Sequence, residues 1–166
     1  QRPTSVADAA RLAGDDNRFL AGGQSLIQSM KLRLASAEQL IDLGAIPELK
    51  GITVDAGGVT IGAMTTHAQV AASADVKQAI PSLAHLASLI GDPMVRNMGT
   101  IGGSLANADP AADYPAAVLA LGATIRTNQR EIAADDYFLG LFETALAPGE
   151  LITAVTFPVP AQAAYV

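Results

Sequence analysis

Ala21-Gly22-Gly23-Gln24-Ser25 and Thr100-Ile101-Gly102-Gly103-Ser104 decide how this chain is read. The first is fed by a short strand, Arg18-Phe19-Leu20-Ala21, and both end in a small hydroxyl residue. A glycine pair lets the backbone take positive φ and lets a bulky anion approach the N–H groups with no Cβ in the way. One such segment is also an ordinary turn. Two of the same form, far apart in sequence, point to two backbone cradles on one diphosphate, and so to a dinucleotide site.

Outward from these segments, the chain reads as alternating short helices and strands. Pro3 to Leu12 is a helix start that Thr4 or Ser5 can cap, with Val6, Ala9, Ala10 and Leu12 near helical spacing. The first glycine segment feeds a helix over 24–34, with Leu26, Ile27, Met30 and Leu34 on one face. Gln39–Leu43 is a strand, and Ile46–Leu49 a short helical turn. Ile52-Thr53-Val54 and Val59-Thr60-Ile61 alternate around Asp55-Ala56-Gly57-Gly58, which has the residues a tight hairpin turn requires. Thr66 caps a helix through Val70, and another runs from Pro81 to about Ile90, closed by Gly91.

After the second glycine segment comes a polar-to-small stretch, Asn107 to Pro115, with Asp109 as a helix cap. A helix over 116–121 follows, then a hairpin of 123–127 and 131–133 turning at Asn128-Gln129. A capped short helix, 135–138, and a strand, 151–157, close the pattern. Mixed elements, several hairpins and no repeated long βαβ crossovers place the chain in the α+β class. The division expected is a small part over 1–51 and a larger one over 52–166.

Composition sets the limits. The chain has 166 residues, half of them hydrophobic and only 16% charged, enough for a core and unlike a disordered segment. Tryptophan is absent and aromatics are 4%, so the core must be built from Ala, Leu, Ile and Val. A net charge of −6 and a pI near 4.7 argue against nucleic acid or an anionic membrane as partner, although backbone N–H groups can still hold an anionic cofactor. The chain has no cysteine, which removes disulfides, thiolate-held clusters and thiol catalysis. No integral membrane segment and no signal peptide are legible, so the expected location is cytoplasmic. The chain opens on Gln1 and stops just past Pro158-Val159-Pro160, which reads as a piece of a longer polypeptide.

These residues resemble the FAD-binding medium subunit of the molybdenum hydroxylases, the group of aerobic carbon monoxide dehydrogenase and xanthine dehydrogenase. The resemblance is carried by Arg18 to Leu26, Met30 to Leu34, Ile61-Gly62-Ala63-Met64-Thr65-Thr66-His67, Val95-Arg96-Asn97 and Gly99 to Ser104. Asn107 to Asp113 and Pro148 to Ile152 complete it. It covers nearly the whole chain, in the family's order. It implies the two-subdomain FAD-binding fold of the vanillyl-alcohol oxidase and CO dehydrogenase flavoprotein type, with FAD between the two parts.

By the same resemblance, Ala21, Gly22, Gly23, Gln24 and Ser25, with Thr100, Ile101, Gly102, Gly103 and Ser104, contact the FAD diphosphate. Asp113 matches an acidic residue on the cofactor's hydroxyl-rich portion. Ile90 and Ile152 match residues beside the isoalloxazine. Met98 stands where many relatives carry Arg, and Asn107 where His is frequent. The family continues into a C-terminal domain that helps cover the flavin, which this sequence lacks.

The implied role is that of an electron-transfer oxidoreductase subunit in a hetero-oligomer. A large subunit would hold the molybdenum cofactor and a small one the iron–sulfur clusters, with electrons passing through FAD to an external acceptor. No residue of this chain then needs to act on the substrate. A stand-alone FAD-dependent oxidoreductase of the same fold is the alternative, with His67 and Tyr114 as its acid–base candidates. A non-enzymatic nucleotide-binding domain is a third reading. No metal site is expected from His67 and His85, which lack a carboxylate pattern beside them.

Overall fold

A computed structural model describes all of residues 1–166. In chain order its helices and strands are α1 (Val6–Arg11), β1 (Asn17–Leu20), α2 (Leu26–Lys31), β2 (Gln39–Asp42), β3 (Ile52–Asp55) and β4 (Gly58–Gly62). A run of helices follows: α3 (His67–Ala72), α4 (Ala74–Ala79), α5 (Pro81–Leu89), α6 (Pro93–Met98), α7 (Ile101–Asn107) and α8 (Asp113–Ala120). The chain then forms β5 (Thr124–Thr127), β6 (Glu131–Ala133), α9 (Ala134–Tyr137), β7 (Phe138–Gly140), β8 (Glu143–Thr144) and β9 (Ile152–Phe157). Two 3₁₀ turns, Leu43–Ala45 and Pro47–Leu49, join β2 to β3.

The first strands, β1 and β2, pair in parallel with Phe19 opposite Ile41, and α2 is their crossover. A five-stranded antiparallel sheet forms the larger layer, in the order β3-β4-β9-β5-β6. The late strand β9 therefore occupies its centre, between β4 and β5. Val59, Ile61, Ile125, Val155 and Phe157 are buried on one face, where they join α-helical residues such as Leu83, Leu86 and Leu105 in a single core. Thr60 and Thr156 face each other elsewhere in the β4–β9 ladder, their hydroxyl oxygens 3.0 Å apart. One face apolar and one polar is what period-two alternation dictates for a half-covered antiparallel sheet.

A second, smaller core gathers Ala9, Ile41, Leu43, Ile46 and Leu49 from the N-terminal elements, and Met64 and Leu151 reach it from the larger sheet's ends. The α+β class is observed. No helix is long and apolar enough to cross a membrane.

Several elements depart from the sequence reading. The helix expected over 24–34 ends at Lys31, because Arg33 turns left-handed at φ 59°. Leu34 N–H then donates to Ser29 O and Arg33 N–H to Met30 O, closing the C-terminal carbonyls in a Schellman motif. Leu34 is 79% exposed and has no place on a buried helical face. Helices α4, α6 and α7, and the β7–β8 ribbon, were not legible. Helix α8 starts earlier than expected, at Asp113, with Pro115 in its first turn where no intrahelical N–H is needed. Asp109 does not cap it; its carboxylate accepts from Ala111 N–H in a local turn, and Ala112 occupies the N-cap. Helix α9 likewise has no side-chain cap.

Candidate functional site

The two glycine segments meet. A Cβ on Gly22 would sit 1.9 Å from the carbonyl oxygen of Met98 and 2.9 Å from the Gly99 Cα, so only glycine permits this backbone contact. Between the segments opens a cleft of about 620 Å³, within the size range of small-molecule sites. Its apolar wall includes Phe19, Leu43, Met64, Ile90, Val95 and Ile152, a surface suited to a flat ring.

All five residues from Ala21 to Ser25 line the cleft, as do Ile90, Thr100, Gly102, Gly103, Ser104 and Ile152. Two of the expected site residues do not. The Ile101 side chain is fully buried in the main core, because it and Leu105 form the inward stripe of α7. Asp113 is turned to the chain's own tail, where its carboxylate accepts the Tyr165 hydroxyl. The carboxylate on the cleft wall at this end is Asp109.

The segments differ in what they offer a ligand. Around the first, the N–H groups of Gly22, Gly23, Gln24, Ser25 and Leu26 have no acceptor within the chain; the first engaged amide is Ile27, on Gly23 O. Gly23 holds φ 72°, and Ser25 makes no capping bond, so its hydroxyl is uncommitted too. Successive N–H groups free beside a cleft make a concavity that suits an anionic oxygen.

The second segment is the first turn of a helix rather than an open loop. Thr100 is the N-cap of α7 and its hydroxyl accepts from Gly103 N–H at 3.1 Å. Ile101 N–H donates to Thr65 O, and Gly102 N–H to Ala63 O at 2.9 Å. Ser104 N–H bonds Thr100 O. Gly102 is needed for contact, since a Cβ there would lie 2.6 Å from the Ala63 Cβ. Thr100 and Ser104 line the cleft here, and neither the Thr100 N–H nor the Ser104 hydroxyl has a partner within the chain.

His67 and Glu150 also line the cleft and were not among the expected contacts. A capping box fixes α3: Thr66 Oγ1 accepts from Gln69 N–H, and the Gln69 side chain accepts from Thr66 N–H. His67 is thereby the first residue of the helix, its own N–H donating to Gly99 O at 3.0 Å. The imidazole lies 5.3 Å from the Tyr114 ring, tilted by 43°. Burial pushes it down to about 4, against the opposing pull of the Asp113 carboxylate, so it is neutral at pH 7. Tyr114 is completely buried, and burial raises its phenol far above the usual tyrosine value. A sealed phenol of that kind holds its proton and meets no substrate.

Glu150 is a buried carboxylate with a full set of partners. It accepts from Arg130 Nε and Nη2, from the Thr127 hydroxyl at 2.7 Å and from Ala147 N–H at 2.8 Å. The Arg130 hydrogen bonds lead in holding it down at about 2, followed by the Ala147 N–H and Thr127, against the cost of burial. It clamps the 145–150 segment to the β5–β6 turn and so sets where Leu151 and Ile152 enter the cleft wall. The Thr66-x-x-Gln69 pattern was the available sequence signal for His67; the partners of Glu150 lie too far upstream to be recognised. No grouping of three or more His, Cys, Asp or Glu could hold a metal.

Residues 1–160 match the family described as the FAD binding domain in molybdopterin dehydrogenase. The chain is 46% identical to the carbon monoxide dehydrogenase medium chain of Afipia carboxidovorans, across 96% of this chain and 58% of that one. It is 43% identical to the glyceraldehyde dehydrogenase medium chain of Sulfolobus acidocaldarius, across 95% and 58%. In three dimensions it matches a solved carbon monoxide dehydrogenase from Hydrogenophaga pseudoflava with a TM-score of 0.94 and 42% identity, covering 97% of this chain and 58% of that one. The chain thus spans 58% of the length of each of these relatives.

Proposed function

The chain belongs to the family of FAD-binding domains of the molybdopterin dehydrogenases, and from that premise we propose that it works as the FAD-carrying electron-transfer part of a molybdenum hydroxylase. The observation that carries the reading is the row of unpaired N–H groups from Gly22 to Leu26 on a cleft of about 620 Å³. These residues fit FAD: the amides without acceptors belong to cleft-lining residues and can serve a diphosphate, and the apolar wall beside them can bury a ring.

In this reading Gly22 to Leu26 hold the diphosphate from one side, and Thr100 and Ser104 hold it from the other. Ile90 and Ile152 exclude water from the ring, and Asp109 or Asp113 serves the hydroxyl-rich portion. The parts over 1–51 and 52–166 hold the cofactor between them, each with its own core but stitched by Met64 and Leu151. FAD supplies the redox chemistry when bound; the protein supplies binding, orientation and electrostatics. The partners are a molybdenum-bearing large subunit and an iron–sulfur small subunit, and the compartment is the cytoplasm. The carbon monoxide and glyceraldehyde dehydrogenase medium chains, each a subunit by name, support that assembly.

The test is a titration of the purified protein with FAD, followed by quenching of flavin fluorescence, beside Gly22→Val. Saturable binding that the variant loses while keeping its circular dichroism is expected. A folded protein that leaves flavin fluorescence unchanged removes the reading. Reduction of bound flavin by a substrate without partner subunits would replace it with the stand-alone oxidoreductase.

A further inference from the structure

Resting on the FAD reading above, we propose that His67 is a further binding residue, its imidazole presenting a neutral Nε2–H donor to a diphosphate oxygen at the second glycine segment. That segment is short of donors, because the N–H groups of Ile101, Gly102, Gly103 and Ser104 are already engaged inside the fold. His67 stands beside it. A Cβ placed on Gly99 would lie 2.6 Å from His67 Nε2, which puts that nitrogen against the backbone immediately before Thr100.

The two ring nitrogens have different surroundings. Nδ1 is sealed and has no partner, and the neighbouring Tyr114 hydroxyl is sealed and unpartnered as well. Nε2 makes no hydrogen bond within the chain either but, unlike Nδ1, it is not sealed, and His67 is part of the cleft wall. A buried N–H with no acceptor is costlier than a buried lone pair with no donor, so the proton of the neutral ring resides on Nε2. The outcome is a fixed donor facing the cleft. The backbone bond to Gly99 O and the Thr66–Gln69 capping box hold its helix, and the Tyr114 ring backs it. Burial keeps the ring uncharged, so it acts by hydrogen bonding to the anion and not as a countercharge.

The experiment compares the full chain with His67→Phe and His67→Gln for affinity toward FAD, by flavin fluorescence quenching, and toward ADP, by competition. Phenylalanine keeps a ring against Tyr114 and Gly99 without the donor, while the glutamine amide restores one. Losing a hydrogen bond to a charged acceptor should weaken both FAD and ADP by about tenfold or more in His67→Phe, with most of the affinity kept in His67→Gln. If His67→Phe does not fold, His67→Met against His67→Gln supplies the same contrast. Unchanged affinities in a folded donor-less variant overturn the proposal while leaving the FAD reading intact. Weakened FAD with unchanged ADP overturns the assignment to the diphosphate. An unaltered protein that binds no FAD removes the FAD reading, and this inference with it.

Discussion

Glu150 and His67 are both buried on the cleft wall, and burial disfavours the charged form of each; only Glu150 has partners that overcome it. Glu150 is charged because Arg130, Thr127 and Ala147 N–H all bond its ionised form. His67 is neutral because burial outweighs the pull of the Asp113 carboxylate and no hydrogen bond holds its charged form. Both make the fold sensitive to acid, in adjacent windows. The Glu150 carboxyl lies at about 2 folded against an ordinary 4.5, so its contribution is complete above 4.5 and is lost as pH falls toward 2. The His67 imidazole lies at about 4 folded against 6.5, so between those values the unfolded chain binds the extra proton and stability declines as pH falls. Urea unfolding across pH should therefore show stability eroding continuously from near 6.5 downward. Glu150→Gln should cost about 2–3 kcal/mol at pH 7, since half-exposed Arg130 recovers some solvation, and should flatten the profile below 4.5. His67→Gln should flatten it between 6.5 and 4. A variant whose pH profile parallels the unaltered protein's would refute the assignment for that residue.

At the scale of elements, α7 is the least expected part of the fold and the most informative. Its opening, Thr100-Ile101-Gly102-Gly103-Ser104, has the composition of a loop, yet it forms a helical turn because tertiary contacts repay the glycines' entropy. Ile101 and Leu105 enter the core one turn apart, and Gly102 sits against Ala63 at the end of β4. Gly102→Ala would improve helix propensity, but it must push β4 and α7 apart. We expect a net loss of about 1–3 kcal/mol in urea unfolding; a stabilised variant would show that the contact is slack.

The same tension explains what was legible beforehand. The hairpins β3–β4 and β5–β6 were, because alternating apolar residues flank turn residues, Asp55 to Gly58 and Asn128-Gln129, that have few other uses. So were β9 and α5, the latter bracketed by Pro81 and Gly91. The end of α2 was not, since a left-handed Arg33 between Leu32 and Leu34 looks like a continuing helical stripe. Of the site, the residues whose reason lies in their own backbone, the glycines, could be recognised from type alone. Sequence offered His67 only as an acid–base candidate and did not offer Glu150 as a site residue, because their character comes from Gly99, Tyr114, Arg130 and Thr127, brought to them only by the fold.

Across the whole molecule, the cleft lies where the smaller core and the larger one meet, and that placement gives ligand binding a signature beyond the site. A ligand that binds only the folded state stabilises it by an amount set by its concentration relative to Kd, about 2.7 kcal/mol at a hundredfold excess. FAD held by Gly22 to Leu26 on one side and by Thr100 and Ser104 on the other should transmit that gain to both cores, because separating them would break the site. Hydrogen exchange with and without saturating FAD can read this directly. The amides of Gly22 to Leu26 have no acceptor in the chain and should pass from fast exchange to strong protection. Those of Ile101 to Ser104 are bonded already and should slow only as far as global unfolding slows. Core amides around Ile41 and around Val155 should gain protection together. Protection confined to the core around Val155 would mean that the first glycine segment does not hold the cofactor. Equal local protection of both segments would mean that α7 unwinds to receive it, so that the second segment becomes a cradle only when the cofactor is bound.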